Sequence, residues 1–337
     1  MVEAHLIKKY YQTLENNNIR CDLCPNKCVI LEGKSGLCKT RININGKFYS
    51  MVYGYPCSIH VDPIEKKPLY HFYPGSEILS FGTFGCNLFC KGCQNFDITR
   101  RDAKETSELR YYHPEEIVDL ALENKIKLIA YTYNEPTIFF EYIIDIAKLA
   151  RKKGIKNIIV SNGYINPEPL KELIKHIDAA NIDLKGITEE FYRGYSKTKM
   201  QPVLNTIKTL YESGVWIELT NLLIPKLNDD TEDIKKLCKW VKDNVGVNVP
   251  LHFSKFYPYY HAKDITPTPS NVVENAKKIA LETGLNYVYM GNLGFLDNTC
   301  CSKCNKLLVD RANYHVKIVG IKKDKCTKCG LKVPGEF

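Results

Sequence analysis

From about residue 77 onward, short apolar runs alternate with stretches in which apolar residues recur every three or four positions. The short runs are typical of buried strands, and the longer period is typical of amphipathic helices. Repeated alternation of the two indicates parallel β/α units. The predicted strands are ILSFGTF, KLIAYTY, NIIVSNG, AANIDLKG, VWIELTNLLI, VPLHFSKF and NYVYMGN, and the predicted helices include PEEIVDLALENK, TIFFEYIIDIAKLARKK, PEPLKELIKHI and NVVENAKKIALETG.

This alternation predicts an α/β fold with six or seven β/α units over residues 76–297, which suits a full or a partial TIM-like barrel. In parallel barrels the chemistry takes place at the C-terminal ends of the strands. Most of the predicted strands carry a polar residue at or near that end. We therefore expect the functional side chains to surround one mouth of the barrel.

The residues on either side of the barrel follow other patterns. Residues 1–75 predict an N-terminal cysteine-rich extension that opens with a helix over residues 5–15. Pro74 and Gly75 mark a turn at its end. After Asn298 the alternation stops, and residues 298–337 predict a small zinc-ribbon-like module.

The composition, 44% hydrophobic and 25% charged, is that of an ordinary globular protein. The chain has no run of about 18 apolar residues, and its N-terminus lacks the apolar core of a signal peptide. We therefore expect a cytoplasmic protein without a membrane span. Its fourteen cysteines would then be reduced, and because most of them are clustered they indicate metal sites rather than disulfides.

The central cluster is FGTFGCNLFCKGCQN, in which Cys86, Cys90 and Cys93 directly follow the first barrel strand. Zinc prefers four ligands in paired Cys-x2-Cys motifs, so this spacing favours a 4Fe–4S cluster. Such a cluster takes four ligands, and three cysteines leave one iron open. The open iron can bind the amino and carboxylate groups of S-adenosylmethionine (SAM), and one electron from the cluster then cleaves SAM to a 5′-deoxyadenosyl radical.

The Cys-x3-Cys-x2-Cys motif is the signature of the radical SAM superfamily, which this chain resembles. DPIEKKPLYHFYPGS, CDLCPNKC, YTYNEPT, PLHFSKFYP and the terminal cysteine pairs resemble one branch of it, the AmmeMemoRadiSam system radical SAM enzymes. That branch is similar to pyruvate formate-lyase activating enzymes. The resemblance implies a partial (β/α)6 TIM-like barrel. It also implies a radical that abstracts hydrogen from an unknown substrate, either a small molecule or a glycyl residue of a partner enzyme.

The segment YNEP after the second barrel strand resembles the Gly-Gly-Glu-Pro segment that meets the SAM amino group. This implies that Glu135 supplies a carboxylate, with Asn134 in the place of a glycine. The residue before the third cysteine is usually bulky and packs near the adenine, but here it is Gly92. The adenine must then be held by other side chains, of which Phe89 and Tyr133 are candidates.

Other cofactor-binding residues follow from the same resemblance. Ser161 and Asn162 resemble the segment near the methionyl and ribose groups of SAM. Asp183 and Lys185 resemble an activating-enzyme pair that contacts SAM or a nearby cation, and His252 resembles a ribose-facing histidine. Each site residue also has a structural interpretation: Glu135 as a helix cap, Lys185 as a solvated lysine and His252 as a hydrogen-bonded core histidine.

Two further cysteine sets flank the barrel. The C-terminal set has the spacing of a zinc ribbon and predicts a structural zinc site formed by Cys301, Cys304, Cys326 and Cys329. The N-terminal set has a less common spacing and predicts either zinc or an auxiliary iron–sulfur cluster, bound by Cys21, Cys24, Cys28 and Cys38.

The predicted chemistry requires an external electron donor, and we expect reduced ferredoxin or flavodoxin and anaerobic conditions. The family name also implies Memo-family pathway partners. Two other functions stay open: a metal-stabilised RNA-binding or tRNA-modifying protein, and an iron–sulfur electron carrier. Residues 301–337 carry nine basic and three acidic residues, but four zinc-bound thiolates would reduce this excess, which favours an ordinary lysine-rich surface over nucleic-acid binding.

Overall fold

A computed structural model describes residues 4–102, 108–312 and 315–337. Its largest sheet has eight strands: β7 (Ser58–Pro63), β8 (Glu77–Gly82), β9 (Leu128–Tyr131), β10 (Lys156–Ser161), β11 (Ala179–Asp183), β12 (Trp216–Leu223), β13 (Leu251–Lys255) and β14 (Val288–Gly291). The strands β8 to β14 are parallel and lie in sequence order, whereas β7 pairs antiparallel with β8 at one edge. All seven strands predicted from the apolar runs are therefore confirmed.

Helices occupy every crossover between β8 and β14. They are α1 (Phe96–Thr99), α2 (Pro114–Glu123), α3 (Phe140–Lys152), α4 (Pro167–Ile174), α5 (Glu189–Phe191), α6 (Gln201–Glu212), α7 (Thr231–Val245) and α8 (Ser270–Thr283). Six helix-containing crossovers and an open sheet confirm the predicted partial (β/α)6 barrel. Within the described residues, no helix is both long and apolar enough to cross a membrane.

The N-terminal region forms two three-stranded antiparallel sheets. Their strands are β1 (His5–Leu6), β2 (Tyr11–Thr13), β3 (Ile19–Cys21), β4 (Val29–Ile30), β5 (Arg41–Ile44) and β6 (Lys47–Ser50). The predicted helix over residues 5–15 is wrong, because β1 pairs with β6 and β2 pairs with β3. Between them Tyr10 has a φ of 59°, which a helix cannot contain. Long-range strand pairing here overrides the local preference for helix.

Between β7 and β8 the chain enters the N-terminal end of the barrel. Residues 64–73, which we call the plug segment, contribute Ile64, Leu69 and Phe72 to a buried cluster with apolar residues near the starts of strands β8 to β11. All three side chains are at most 2% exposed. Burial of such side chains contributes about 1.5–3 kcal/mol each, so the plug segment forms part of the barrel core.

The C-terminal region, β15 (Thr299–Cys300), β16 (Leu307–Asp310), β17 (Lys317–Ile318), β18 (Ile321–Lys322) and β19 (Lys325–Cys326), packs against the plug segment. Arg311 is fully buried and donates a hydrogen bond of 2.7 Å from Nη2 to the carbonyl oxygen of Tyr70. The ring Nδ1 of His71 lies 2.7 Å from the carbonyl oxygen of Pro334. The C-terminal region therefore holds the plug segment from outside.

Candidate active site

A cavity of about 570 Å³ opens at the C-terminal ends of the parallel strands. The loop after β8 lines one wall. Residues at or just after the ends of β9 to β14 complete it, among them Thr132, Asn162, Asp183, Leu222, Ser254 and Asn292. Because parallel strands end at the same edge, residues far apart in sequence meet in one space.

Cys86, Cys90 and Cys93 all line this cavity. Burial raises the pKa of the Cys86 thiol, and the neighbouring carboxylate of Glu135 raises it further. Burial also raises the pKa of the Cys90 thiol. Thiolates in such surroundings need a positive partner, which a bound metal centre supplies.

The spacing of these three sulfurs fits a cluster better than a single zinc ion. A tetrahedral zinc with bonds of about 2.3 Å places its sulfurs about 3.8 Å apart. Across the described parts of the chain, only the C-terminal cysteines bring three or more ligand atoms within 4.8 Å of one another. A 4Fe–4S cluster binds each thiolate to a different iron and tolerates wider spacing. The residues present therefore fit a cluster.

Gly92 is required by close packing. A Cβ atom there would lie 2.6 Å from the hydroxyl oxygen of Tyr195 and 2.8 Å from the ring of Phe256. The Gly92 amide instead donates to the Tyr195 hydroxyl at 3.1 Å. Of the two adenine candidates, Tyr133 lines the cavity, whereas Phe89 lines a separate groove. Tyr195 also lines the cavity, and the sequence offered no signal for it.

Asn134 connects the end of β9 to the loop that carries Cys86, Cys90 and Cys93, which we call the cysteine loop. Its Nδ2 donates to the carbonyl oxygen of Gly85 at 2.9 Å and to the hydroxyl of Thr83 at 3.1 Å. Its Oδ1 accepts from the Thr83 amide at 3.1 Å. The side chain therefore holds the backbone just before Cys86, a position from which it orients the loop.

Glu135 lines the cavity and is 1% exposed. Its Oε1 accepts hydrogen bonds from the Thr137 amide at 2.9 Å and the Ser161 hydroxyl at 2.8 Å. Its Oε2 accepts one from the Asn162 amide at 2.8 Å. Burial raises the pKa of Glu135 and these hydrogen bonds oppose the rise. The residue caps the helical turn after it and also joins the ends of β9 and β10.

Ser161 and Asn162 differ in their access to the cavity. The Asn162 side chain lines it and lies against the cysteine loop, with Nδ2 donating to Oδ1 of Asn87 at 2.9 Å. Ser161 lies behind Glu135, to which its hydroxyl donates. The structure therefore brings Asn162 to the cysteines and gives Ser161 a supporting position.

Asp183 and Lys185 follow β11 and form an ion pair of 2.8 Å at the cavity. Burial opposes the charge on Lys185, yet Asp183 and the nearby Cys90 hold the lysine pKa well above its ordinary value. The lysine side chain is 20% exposed and that of Asp183 is 36% exposed. The pair therefore places one negative and one positive side chain next to each other in the cavity wall.

His252 is not among the residues that line this cavity within the described chain. Its imidazole is 3% exposed, and Nε2 lies 2.7 Å from the Glu218 carboxylate. It lies one side-chain layer deeper in the barrel than Ser254, which shares its face of β13 and does line the cavity. The structure thus places His252 in the core beneath the cavity.

A charged group at the cavity comes from outside the predicted barrel. Lys67 belongs to the plug segment, and its Nζ lies 2.8 Å from Oδ2 of Asp62 and 4.7 Å from the centre of the Tyr133 ring. Burial opposes ionisation of Asp62, but hydrogen bonds from Lys67 and Tyr133 lower its pKa to about 2. Sequence reasoning missed both residues, because they precede the barrel strands in the chain.

The four C-terminal cysteines lie together at a separate place. The sulfurs of Cys301 and Cys329 are 3.6 Å apart, as are those of Cys304 and Cys326. All four sulfurs lie within 4.8 Å of one another. This spacing agrees with the value of about 3.8 Å expected around a tetrahedral ion with sulfur ligands. The site could therefore hold a metal ion.

Comparison with known proteins agrees with this geometry. Residues 81–240 match the radical SAM superfamily. An uncharacterised protein of Methanocaldococcus jannaschii is 42% identical over 328 residues, 96% of this chain and 97% of the relative. A putative glycyl-radical enzyme activating enzyme of the same organism is 27% identical over 179 residues, 51% of this chain and 71% of the relative.

Among solved structures, a radical SAM methyltransferase from Sphaerobacter thermophilus shares the fold, with a TM-score of 0.50 at 13% identity. The match covers 66% of this chain and 68% of that one. Together with the match over residues 81–240, the partial barrel with three cysteines at its mouth defines the class as iron–sulfur enzymes. The chain belongs to the radical SAM superfamily.

Proposed function

We propose that Cys86, Cys90 and Cys93 hold a 4Fe–4S cluster whose open iron binds SAM. The observation that supports this most directly is the meeting of these three thiols with Asn162, Glu135 and the Asp183–Lys185 pair in one cavity. When bound and reduced, the cluster supplies the electron that cleaves SAM to methionine and a 5′-deoxyadenosyl radical, which abstracts hydrogen from the substrate.

The protein groups have separate parts in this proposal. Among the described residues, the Oε2 atom of Glu135 accepts one hydrogen bond, from the Asn162 amide, and so keeps acceptor capacity for the ammonium group of SAM. Asp183 and Lys185 offer opposite charges to the polar groups of SAM. Apolar side chains such as Leu88 and Leu222 line the same cavity and exclude water from the reacting atoms. His252 supports the cavity from below.

The substrate of the proposed reaction is either a glycyl residue of a partner enzyme or a small molecule. The first option is supported by the relative named a putative glycyl-radical enzyme activating enzyme. The segment DPIEKKPLYHFYPGS supports the AmmeMemoRadiSam branch, and with it a pathway shared with Memo-family proteins.

A reduced ferredoxin or flavodoxin is the proposed electron donor. A groove next to the cysteine loop, which we call the cationic groove, is lined by Phe89, Lys91, Arg100, Lys197 and Lys226. Among the described residues that line this groove, one is acidic, namely Asp264. Acidic electron-transfer proteins complement such a surface, and Phe89 and Lys91 lie on either side of the cluster ligand Cys90.

We also propose that the C-terminal cysteines bind zinc in a structural role. Four thiolates fill a tetrahedral zinc and leave no position for substrate. The site lies in the region that packs against the plug segment. Zinc there would therefore stabilise the barrel from its N-terminal end.

The function is tested by anaerobic reconstitution with iron and sulfide, reduction with dithionite, and addition of SAM. We expect the full chain to form 5′-deoxyadenosine and methionine, measured by liquid chromatography and mass spectrometry. The Cys90→Ala variant should form neither, whereas Cys300→Ala, which removes a cysteine outside the three sets, should match the parent. Absence of SAM cleavage by protein that carries iron and sulfide would contradict the proposal.

The same assay identifies the hydrogen donor. Candidate substrates labelled with deuterium are added, and the mass of the 5′-deoxyadenosine is measured. Transfer of deuterium assigns the substrate class, and cleavage without transfer excludes the compound tested.

A further inference from the structure

We propose that Cys21, Cys24, Cys28 and Cys38 bind a second 4Fe–4S cluster, so that the chain carries two clusters and one zinc ion. This inference concerns a site separate from the catalytic cavity. It does not depend on the substrate or on the SAM chemistry proposed above.

The four thiols of this N-terminal quartet line one enclosed cavity. Cys21 ends β3, and the other three lie in the loops around β4 and before β5. The Cys21 side chain is buried, and the cavity is lined otherwise by apolar, amide and arginine side chains and by Gly36 and Thr137. Four cysteines around one closed space indicate a metal centre more directly than their sequence spacing does.

The spacing of the sulfurs distinguishes a cluster from zinc. Among the described residues, only the C-terminal quartet brings three or more ligand atoms within 4.8 Å of one another. The sulfurs of the N-terminal quartet are therefore spaced more widely. One zinc ion needs sulfurs about 3.8 Å apart, as the C-terminal quartet provides. The wider arrangement suits a cube in which each sulfur binds its own iron.

Arg41 gives an independent indication of an anionic occupant. Its side chain is 2% exposed and lines the same cavity, and Nη2 pairs with Glu141 at 2.5 Å. Its Nε and Nη1 are buried with no hydrogen-bond partner among the described residues. Two buried donors without partners are costly, and the sulfurs of a cluster would accept from them.

This site lies next to the catalytic loop. Asn87 follows Cys86 in sequence and also lines the N-terminal cavity. The Asn26 side chain donates to the Asn87 carbonyl oxygen at 2.8 Å, which fixes the wall between the two sites. Four thiolates leave no open iron, so the second cluster cannot bind SAM. Its response to SAM therefore separates it from the first.

The experiment uses the full chain, reconstituted anaerobically, with iron, sulfide and zinc analysis and EPR of the reduced protein with and without SAM. The triple variant Cys86→Ala/Cys90→Ala/Cys93→Ala should keep about four irons and one zinc, with a signal that SAM does not change. The double variant Cys21→Ala/Cys24→Ala should keep about four irons, with a signal that SAM does change.

Two zinc ions and no iron in the triple variant would overturn this inference and leave the proposed function intact. Loss of iron from the double variant, with retention in the triple variant, would instead contradict the proposed function. Two substitutions of Arg41 test the same site with all cysteines in place, so that loss of iron through misfolding of a cysteine variant cannot account for the result. Arg41→Met should make the cluster with the SAM-insensitive signal harder to reduce, because a positive charge beside it is lost. Arg41→Lys should preserve the reduction potential of that cluster.

Discussion

Asn134 shows how one side chain can replace a backbone feature. It occupies a position at which the Gly-Gly-Glu-Pro segment has a glycine. Its side-chain amide forms hydrogen bonds with the backbone amide and the hydroxyl of Thr83 and with the carbonyl oxygen of Gly85. A glycine has no side chain to make these bonds. The cysteine loop of this chain is thus held by a contact that its sequence motif does not contain.

Replacing Asn134 with alanine should lower the free energy of unfolding by about 1–3 kcal/mol, because buried partners at the loop lose their hydrogen bonds. It should also lower the iron retained after reconstitution. Urea unfolding of the apoprotein and iron analysis measure the two effects. Asn124→Ala is the matched control, since that exposed side-chain amide donates to the Leu120 carbonyl oxygen and to no other group of the described residues. Equal effects of the two substitutions would contradict an orienting role.

At the scale of elements, the plug segment and β12 meet through Glu218. Its carboxylate accepts from the amide of Tyr70 at 2.9 Å, from the amide of His71 at 2.8 Å, and from His252 at 2.7 Å. The side chain is fully buried. One carboxylate therefore fastens the plug segment inside the barrel.

Glu218→Gln should destabilise the protein by about 1–3 kcal/mol, because its amide nitrogen would face N–H donors and leave one of them unsatisfied. Denaturant unfolding measures the change. Glu190→Gln, at an exposed position on α5, should change stability by less than about 0.5 kcal/mol. If Glu218→Gln behaved like this control, the fastening role would be excluded.

The same carboxylate predicts a pH dependence. Burial opposes its ionisation, but the hydrogen bond and charge of His252 hold the pKa of Glu218 below its ordinary value of 4.5. A lowered pKa gives stability that is present above pH 4.5 and lost as the pH falls through the folded-state pKa. The stability difference between the parent and Glu218→Gln should therefore shrink on acidification below pH 4.5. A constant difference would contradict the assignment of charge.

The elements that could be predicted from sequence are those with a strong local pattern. Each of the strands β8 to β14 is a short apolar run, and the cysteine loop is contiguous. The strands β1 and β2 form only by pairing with later strands, so their residues suggested a helix. The location of the His252 side chain depends on how deep that residue lies in the barrel, and the location of Lys67 depends on the path of the plug segment. Local sequence spacing encodes neither location.

At the scale of the whole molecule, charge is distributed unevenly around the cysteine loop. The cationic groove has exposed lysines at positions 91, 197 and 226. Within the described chain, none of these three lysines forms an ion pair. A protein with a negatively charged surface would be attracted to the cationic groove over a distance of about one Debye length.

Lys197→Glu/Lys226→Glu should raise the KM for reduced flavodoxin about tenfold at low salt, since two attractive charges become repulsive. SAM cleavage driven by dithionite should be unchanged, because that small reductant needs no docking surface. Lys239→Glu/Lys278→Glu, on α7 and α8, is the matched charge control. An unchanged KM in the groove variant would place the donor elsewhere.

The plug segment fills the N-terminal end of the barrel, which determines how small molecules enter and leave the cavity. Ile64, Leu69 and Phe72 occupy the N-terminal end, so in the proposed reaction SAM, substrate and both cleavage products would share the opposite opening. A protein bound over that opening would trap spent methionine and 5′-deoxyadenosine. A partner enzyme would therefore have to leave after every radical transfer, whereas a small substrate could exchange with the products through an uncovered entrance.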